Sequence, residues 1–128
     1  MASGPAHQTE ASAQRIVISV DAMGSDRGPV AIVAGLALCA TSLPNADFIL
    51  HGDEAQLAAL LSRHAGLSQR VTLRHAPRVV TMQDKPSQVM RHGEGTSMWS
   101  TIESVKQGEA TVAVSCGNTG ALMAVAMI

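Results

Sequence analysis

Short runs of β-branched residues alternate with segments of helical period along most of this 128-residue chain, and this alternation is the feature that most constrains its fold. Residues 16–20 are Ile-Val-Ile-Ser-Val, which predicts a buried strand that ends at a polar loop spanning residues 21–28. Pro29 suits the first turn of a helix, and residues 30–40 carry apolar side chains at helical spacing. This segment therefore predicts one strand–helix unit.

A second unit follows directly. Residues 48–51 predict a strand, and Asp53 predicts the N-cap of a helix whose leucines form an apolar stripe that ends near Gly66. Residues 71–73 predict a third strand.

The remainder of the chain continues the alternation after an irregular connection punctuated by prolines. Residues 86–91 predict a short helix opened by proline, and the next apolar stripe predicts a longer helix that stops at Gly108. Residues 111–115 predict a fourth strand, 116–120 a turn of small residues, and 121–128 an apolar helix.

Strict alternation of strands and helices implies right-handed crossovers and a mostly parallel sheet covered on both faces, so the predicted fold class is α/β. Residues 1–15 are mainly small and polar and predict a flexible N-terminal tail. The last predicted helix has no C-cap and no polar finish, which indicates a domain that is cut short.

Composition excludes several classes of protein. With 46% hydrophobic and 15% charged residues, the chain has enough apolar material for a core and too little charge for an extended disordered chain. A formal net charge of −1 leaves no basic excess to neutralise a nucleic-acid backbone, and Phe48 and Trp99 are the whole aromatic set. We expect no nucleic-acid partner.

Cysteine and histidine spacing gives no support for a disulfide framework, a metal site or another cofactor. Cys39 and Cys116 lie far apart without a paired motif, and the five histidines never fall at the spacing of a helical metal pair. No apolar stretch has the length of a signal peptide or a membrane span. The expected setting is a reducing cytoplasm, with no metal and no cofactor.

Ligands of open α/β sheets bind beyond the carboxyl ends of the strands, so the loops after the first and fourth strands are where a site is expected. The first loop, Asp21-Ala22-Met23-Gly24-Ser25-Asp26-Arg27-Gly28, places two carboxylates between a buried strand and a helix start. A purely structural interpretation is that Asp26 caps the helix and Gly24 allows the turn. Spacing alone does not separate that interpretation from a binding role.

The second loop, Ser115-Cys116-Gly117-Asn118-Thr119-Gly120, has the composition of an anion cradle. Its glycines permit close approach of the backbone, and the amides at the start of the following helix point at a negative ligand. The loop matches neither the Walker A pattern nor G-x-G-x-x-G, so by itself it is a weak signal.

Two further residues have an ordinary interpretation beside the functional one. Lys85, in Asp84-Lys85-Pro86-Ser87, is either a mobile charge for a phosphate or a solvated surface lysine. Cys116 sits at a helix start, where thiol pKa values fall, but it has no neighbouring histidine, and a small filler is the commoner role of such a residue.

Taken together and in order, these loops resemble the bacterial phosphate acyltransferase family, the acyl-ACP:phosphate transacylases of phospholipid synthesis. The resemblance is carried by residues 20–29, 84–87 and 115–123, and by His51-Gly52-Asp53-Glu54 and His75-Ala76-Pro77. It extends from about residue 16 to the last residue.

Two positions depart from the family pattern. Ser25 stands where the D-A-M-G-G-D loop has Gly, and Cys116 stands where the S-A-G-N-T-G-A loop has Ala. Both changes are small and put only the local backbone geometry in question.

The resemblance implies a Rossmann-like, three-layer α/β sandwich similar to the phosphotransacetylase and isocitrate-dehydrogenase groups. It also implies transfer of a fatty acyl group from acyl-ACP to inorganic phosphate, giving acyl phosphate for phospholipid synthesis. The implied setting is a cytoplasmic homodimer, peripheral to the inner face of the cell membrane, where a membrane glycerol-3-phosphate acyltransferase uses the product. Family members are much longer, so residues 16–128 are expected to be the N-terminal part of one catalytic domain, inactive on its own.

The resemblance also implies roles for individual residues. Attack of phosphate on a thioester needs a held phosphate and donors aimed at the developing oxyanion, but no protein nucleophile. Lys85 is assigned charge neutralisation and Asn118 an oriented donor, as the catalytic pair. The expected phosphate- and substrate-binding residues are Asp21, Met23, Gly24, Asp26, Ser87, Ser115, Gly117, Thr119 and Gly120. The two carboxylates of that set are expected to shape their loop or hold a donor rather than contact the anion.

Two other classes of function stay open from the sequence. One is a phosphate- or nucleotide-binding α/β module without catalysis, which ligand binding without turnover would identify. The other is a structural unit that needs a missing half or a partner copy to bury its apolar end, which size-exclusion chromatography would separate from a monomer.

Overall fold

A computed structural model describes residues 15–128, and the elements in chain order are β1 (Ile16–Asp21), α1 (Gly28–Ser42), β2 (Ala46–Gly52), α2 (Glu54–Leu61), α3 (Ala65–Ser68), β3 (Val71–His75), α4 (Pro86–His92), α5 (Ser97–Lys106), β4 (Val112–Val114) and α6 (Thr119–Ala126). Most of the tail predicted for residues 1–15 lies outside the described residues. Arg15 is described, and its Nη2 lies 2.5 Å from Asp47 Oδ1. Within residues 15–128, no helix has the length and hydropathy needed to span a bilayer.

The four described strands form one parallel sheet in the order β3-β2-β1-β4, which confirms the predicted α/β class with a parallel sheet. Strands β1, β2 and β3 step outward in one direction, and the chain then crosses back to place β4 beside β1. Strand order therefore reverses between β1 and β4. In open parallel sheets the crevice at such a reversal, at the carboxyl ends of the strands, is the usual ligand site.

The strand side chains alternate between two different environments. On one face, Val20 of β1 and Leu50 of β2 join the first core, which α1 and α2 cover with Val33 and Leu57. On the other face, Ser19 of β1 contacts α5. Helices on both faces give the three layers that the family resemblance implies.

A second core lies on the α5 side of the sheet. It is formed by buried apolar residues of α4, α5, α6 and the segment before α4, namely Val80, Val89, Met98, Ile102, Ala121 and Val125. Because α4 and α6 share this core with α5, the starts of α4 and α6 are brought to the carboxyl side of the sheet.

The predicted starts of two helices are confirmed. Asp53 caps α2, where its Oδ1 accepts from the amide of Gln56 at 3.1 Å. Pro29 lies in the first turn of α1. The stop of α5 at Gly108 is also confirmed, since this glycine follows the C-cap with a φ of +79°, a conformation that favours glycine.

The predicted end of the second helix is wrong. Helix α2 ends at Leu61 rather than near Gly66, because the amides of Arg63 and His64 close tight turns onto Leu60 and Leu61. The separate one-turn helix α3 then follows.

The last predicted helix begins earlier than residue 121. Helix α6 starts at Thr119 because the Asn118 side chain caps it. On the strand before it, Val112 and Val114 are 46% and 47% exposed, so one face of the edge strand β4 is uncovered in the described residues.

Candidate functional site

The loops after β1 and β4 meet at the carboxyl edge of the sheet, where strand order reverses. The backbones approach so closely that a Cβ on Gly24 would lie 3.2 Å from the Cα of Gly117 and 2.6 Å from Asp21 Oδ2. A Cβ on Gly117 would in turn lie 3.1 Å from Met98 Cε. The close contact of the two loops therefore requires glycine at position 24, whereas at Gly117 the Met98 side chain would have to move by a few tenths of an ångström. The structure thus brings together the two loops that the sequence singled out.

Asp21 lies beneath this contact and is 1% exposed. Its Oδ1 accepts from Ser97 Oγ at 2.6 Å and from the Met23 amide at 3.1 Å, and its Oδ2 accepts from Ser115 Oγ at 2.9 Å. Ser115 Oγ also accepts from the Gly117 amide at 3.1 Å. The Asp21 carboxylate therefore ties the loop after β1 to the loop after β4.

The N-terminus of α6 faces the same edge. Asn118 Oδ1 accepts from the Ala121 amide at 3.1 Å, which caps the helix. Within residues 15–128, the amides of Thr119 and Gly120 have no hydrogen-bond acceptor. These two exposed amides at the positive end of the helix dipole can bind an anion.

The Asn118 carboxamide also holds the segment that carries Lys85. Its Nδ2 donates to the carbonyls of Thr81 and Asp84 at 3.1 and 2.8 Å. Both amide hydrogens are therefore used within the protein. This geometry makes Asn118 a link between two segments, whereas the sequence interpretation gave it to the substrate.

Lys85 is exposed, and its two neighbours in sequence, Asp84 and Pro86, both contact the start of α6. Its backbone amide donates to Gln88 Oε1 at 3.1 Å, while its ammonium group makes no hydrogen bond or ion pair within residues 15–128. A Cβ on Gly120 would lie 3.2 Å from Pro86 Cγ, so the starts of α4 and α6 are in contact. Ser87 is exposed in the first turn of α4, on the same edge.

The other predicted residues of the first loop occupy different surroundings. Met23 packs on the first core, and a Cβ on Gly52 would lie 2.8 Å from its sulfur. Asp26 is exposed and does not cap α1, so the purely structural interpretation of Asp26 as a helix cap is wrong. The turn is instead made by Ser25, whose carbonyl and hydroxyl accept from the amides of Gly28 and Arg27.

Cys116 is exposed and carries a free thiol. It lies between Ser115 and Gly117, the two residues that Asp21 ties to the sheet. Nothing in its described contacts activates the thiol: Cys116 has no hydrogen bond to a histidine within residues 15–128.

A buried histidine network that the sequence interpretation missed lies next to this site. His51 is fully buried, with Nε2 2.7 Å from Ser19 Oγ and Nδ1 2.6 Å from Ser100 Oγ. Because the Ser19 hydroxyl donates to the Thr101 carbonyl at 2.9 Å, the imidazole Nε2 must be the donor to Ser19. Burial, together with the nearby positive charge of Arg74, lowers the pKa of His51 to about 4.

Sequence reasoning also missed Ser97, which contacts Asp21. The available signal was the run of serine and threonine at positions 97, 100, 101 and 104, which recurs at helical spacing among residues expected to face a core. That pattern indicates a polar stripe on a helix. It does not identify the strand residues that the stripe contacts.

A cavity of about 200 Å³ is lined by Arg78, Asp84 and Gln88 among others, so it borders the segment that carries Lys85. Another, of about 450 Å³, is lined by Asp47, Arg70 and neighbouring residues. Within residues 15–128, no group of three or more His, Cys, Asp or Glu side chains is placed to hold a metal ion. We therefore locate the candidate site by the reversal of strand order and by the backbone amides of α6 that are free within the described residues, not by an enclosed cavity.

Comparison with known proteins gives consistent matches. The sequence model of a family described as "Fatty acid synthesis protein" matches residues 16–128. A phosphate acyltransferase of Cereibacter sphaeroides (strain KD131) is 70% identical over 128 residues, which is 100% of this chain and 34% of that protein. Phosphate acyltransferases of Paracoccus denitrificans and Roseobacter denitrificans are 63% and 58% identical over 88% and 94% of this chain, and 30% and 34% of their own lengths. The chain spans about a third of the length of these curated relatives.

Proposed function

Because this chain belongs to the fatty acid synthesis protein family, we propose that it forms the phosphate-holding part of an acyltransferase that moves a fatty acyl group from acyl-ACP to inorganic phosphate. Its curated relatives carry the name phosphate acyltransferase, and the chain spans about a third of their length. The acyl-ACP substrate is part of the proposal.

In the proposed reaction, phosphate is the nucleophile. One phosphate oxygen attacks the thioester carbonyl carbon and forms a C–O bond, and the tetrahedral oxyanion then collapses and breaks the C–S bond. The departing thiolate takes up the proton that the phosphate loses, so the products are acyl phosphate and the thiol of ACP. The protein's task is to hold phosphate within reach of the carbonyl and to stabilise the oxyanion.

The observation that carries the proposal is the pair of amides at the start of α6, those of Thr119 and Gly120, which have no acceptor among the described residues. They lie beside the exposed Lys85 at the edge where strand order reverses. Helix amides, a helix dipole and a lysine that is unpaired within residues 15–128 together suit a phosphate. Ser87 and Thr119 add hydroxyl donors on the same edge.

In the proposal, some of the expected site residues contact phosphate and others act through the protein. Lys85 supplies charge to phosphate, and the backbone of Gly117 to Gly120 forms the cradle. Asn118 acts through its bonds to Thr81 and Asp84, which keep the segment carrying Lys85 against the cradle. Met23 and Asp26 have no structural feature that favours contact with phosphate.

The experiment uses a full-length chimera in which this chain replaces the aligned third of the Cereibacter sphaeroides relative. Formation of acyl phosphate from acyl-ACP and phosphate is measured for the parent and for Lys85→Ala. We expect a loss of roughly 10- to 1,000-fold in kcat/KM for phosphate, because one charge that stabilises the transition state is removed. Lys85→Arg is expected to retain more of the rate.

A matched control is Arg63→Ala, which removes one positive charge from the turn after α2. Because α2 begins at the carboxyl edge of the sheet and runs away from it, this turn lies at the opposite edge. The control should leave kcat/KM within about twofold of the parent. A parent chimera that binds phosphate but forms no acyl phosphate would instead identify a binding module without catalysis.

The cellular setting of the proposal follows the family resemblance. The protein would act in the cytoplasm as a homodimer, peripheral to the inner face of the membrane. Its acyl phosphate would pass to a membrane glycerol-3-phosphate acyltransferase. Light scattering and vesicle co-sedimentation of the chimera test the dimer and the membrane association.

A further inference from the structure

The face of α5 that packs on the sheet is polar. Buried hydroxyls of Ser97, Thr101 and Ser104 lie on this face, opposite Ser19 and Asp21 of β1, and each of these residues is at most 1% exposed. Within residues 15–128, every buried polar side-chain atom has a hydrogen-bond partner. A fully satisfied buried network fixes how a helix sits on its sheet, because any other register leaves polar groups unpaired.

One end of this polar face leads directly to the loop after β4. The Ser97 hydroxyl donates to Asp21 at 2.6 Å, Asp21 accepts from Ser115 at 2.9 Å, and Ser115 accepts from the Gly117 amide at 3.1 Å. Four residues from three parts of the chain are thus connected in series. The series starts on a helix and ends on the backbone of the proposed cradle.

The first turn of α5 also supports the same loop sterically. A Cβ on Gly117 would lie 3.1 Å from Met98 Cε, so the side chain next to Ser97 packs beneath that glycine. The turn itself is held in place, since Thr96 Oγ1 accepts from the Trp99 amide at 3.2 Å and caps the helix. The loop therefore rests on a capped helix end through both a hydrogen-bond series and an apolar contact.

Asp21 itself cannot be a ligand of the anion. It is 1% exposed and already accepts three hydrogen bonds, and its negative charge would repel phosphate. What the Asp21 carboxylate does is join three segments, since it accepts from Met23, Ser97 and Ser115.

We propose that Ser97 and Asp21 are positioning residues: through Ser115, which holds the Gly117 amide, they fix the backbone that leads into the phosphate-binding amides of Thr119 and Gly120. This inference rests on the proposed function for its ligand. Because a misplacement of about 1 Å in a reacting group can cost about 100-fold in rate, the series has a kinetic consequence that ordinary core packing lacks.

The test compares two serines of the same helix. Ser97→Ala breaks the series, whereas Ser104→Ala removes an equally buried hydroxyl that contacts His51 and the Ser100 carbonyl instead. In the full-length chimera we expect Ser97→Ala to lower kcat/KM for phosphate by about 10- to 100-fold, and Ser104→Ala to stay within about twofold. Asp21→Asn, which keeps the shape but loses an acceptor oxygen, should lower it at least as far as Ser97→Ala.

A second measurement does not depend on turnover. Hydrogen exchange at the Gly117 amide should become faster in Ser97→Ala and stay unchanged in Ser104→Ala, since only the first variant removes a hydrogen bond from the Asp21 carboxylate, which holds the Ser115 hydroxyl. Equal kinetic losses in the two variants, or an unchanged exchange rate at Gly117 in Ser97→Ala, would overturn the positioning role. A parent chimera that forms no acyl phosphate would contradict the proposed function, and the exchange result would still decide whether the series orients the loop.

Discussion

At the scale of single residues, contact distances show which glycines have room for a side chain and which do not. A Cβ on Gly24 would lie 2.6 Å from the Asp21 carboxylate, closer than atoms approach without a shift, whereas a Cβ on Gly35 in α1 would meet nothing within 4 Å. The same substitution should therefore have opposite effects at the two positions.

We expect Gly35→Ala to raise the free energy of unfolding by about 0.5–1 kcal/mol, because alanine loses less conformational freedom than glycine in a helix. Gly24→Ala should lower it by about 1–3 kcal/mol, because Asp21 or the facing loop must move. Chemical denaturation of the two variants checks the prediction, and a stabilised Gly24→Ala would contradict the close approach of the two loops.

Cys116 is the residue that most suggests a covalent acyl-enzyme, and we expect it not to form one. It is exposed, but phosphate is already an anionic nucleophile, so an acyl-cysteine would add a step without removing a difficulty. Cys116→Ala in the chimera should retain most of its activity, and alkylation should inhibit only by adding bulk to the loop. Loss of turnover in Cys116→Ala, together with an acylated Cys116 trapped by mass spectrometry, would contradict direct attack by phosphate.

At the scale of elements, the contact of α5 with the sheet depends on His51 being neutral. The buried imidazole donates from Nε2 and accepts at Nδ1, and its pKa falls from 6.5 to about 4. In the unfolded chain this histidine takes up a proton below about pH 6.5, whereas in the folded chain it stays neutral down to about pH 4. The unfolded state therefore binds more protons in this range, so stability falls as the pH falls.

From pH 6.5 to 5 we expect His51 alone to cost up to about 2 kcal/mol of the free energy of unfolding. The variant His51→Gln should lose this slope, while His92→Gln, at an exposed position at the end of α4, should keep it. Denaturation at a series of pH values measures both. An NMR titration of the unsubstituted chain gives a second check, since protonation of His51 above pH 5.5 would contradict the prediction.

At the scale of the whole molecule, the described residues form a sheet that is covered unevenly. Helices cover both faces of β1 and β2, but Val112 and Val114 of the edge strand β4 stay about half exposed. The candidate phosphate site lies between β1 and this open edge. Residues 15–128 place no helix or strand beyond β4 that could enclose a thioester substrate on that side.

We therefore expect the 128-residue chain alone to form no acyl phosphate, whereas the full-length chimera is active. Inorganic phosphate should still bind the chain, because Lys85 and the start of α6 lie within it, and the single Trp99 offers a fluorescence signal near the first turn of α5. Turnover by the chain at a rate near that of the chimera would contradict this prediction. Phosphate-induced quenching in the chain, reduced in Lys85→Ala, would support it.

Sequence alone determined the features of this protein that depend on neighbours along the chain. The strands, the Asp53 cap, the stop at Gly108 and the two loops rich in glycine all follow from local period, capping chemistry or backbone freedom. Tertiary structure decided what depends on which strands become neighbours. Only the return of β4 to the side of β1 places Ser115 over Asp21, and only the packing of α5 brings Ser97 and His51 into polar contacts with the sheet. Those partners lie tens of residues apart in sequence, so no local pattern encodes their contact. The Asp21 carboxylate, expected to shape its loop or hold a donor, accepts hydrogen bonds from its own loop and from Ser115 of the second one.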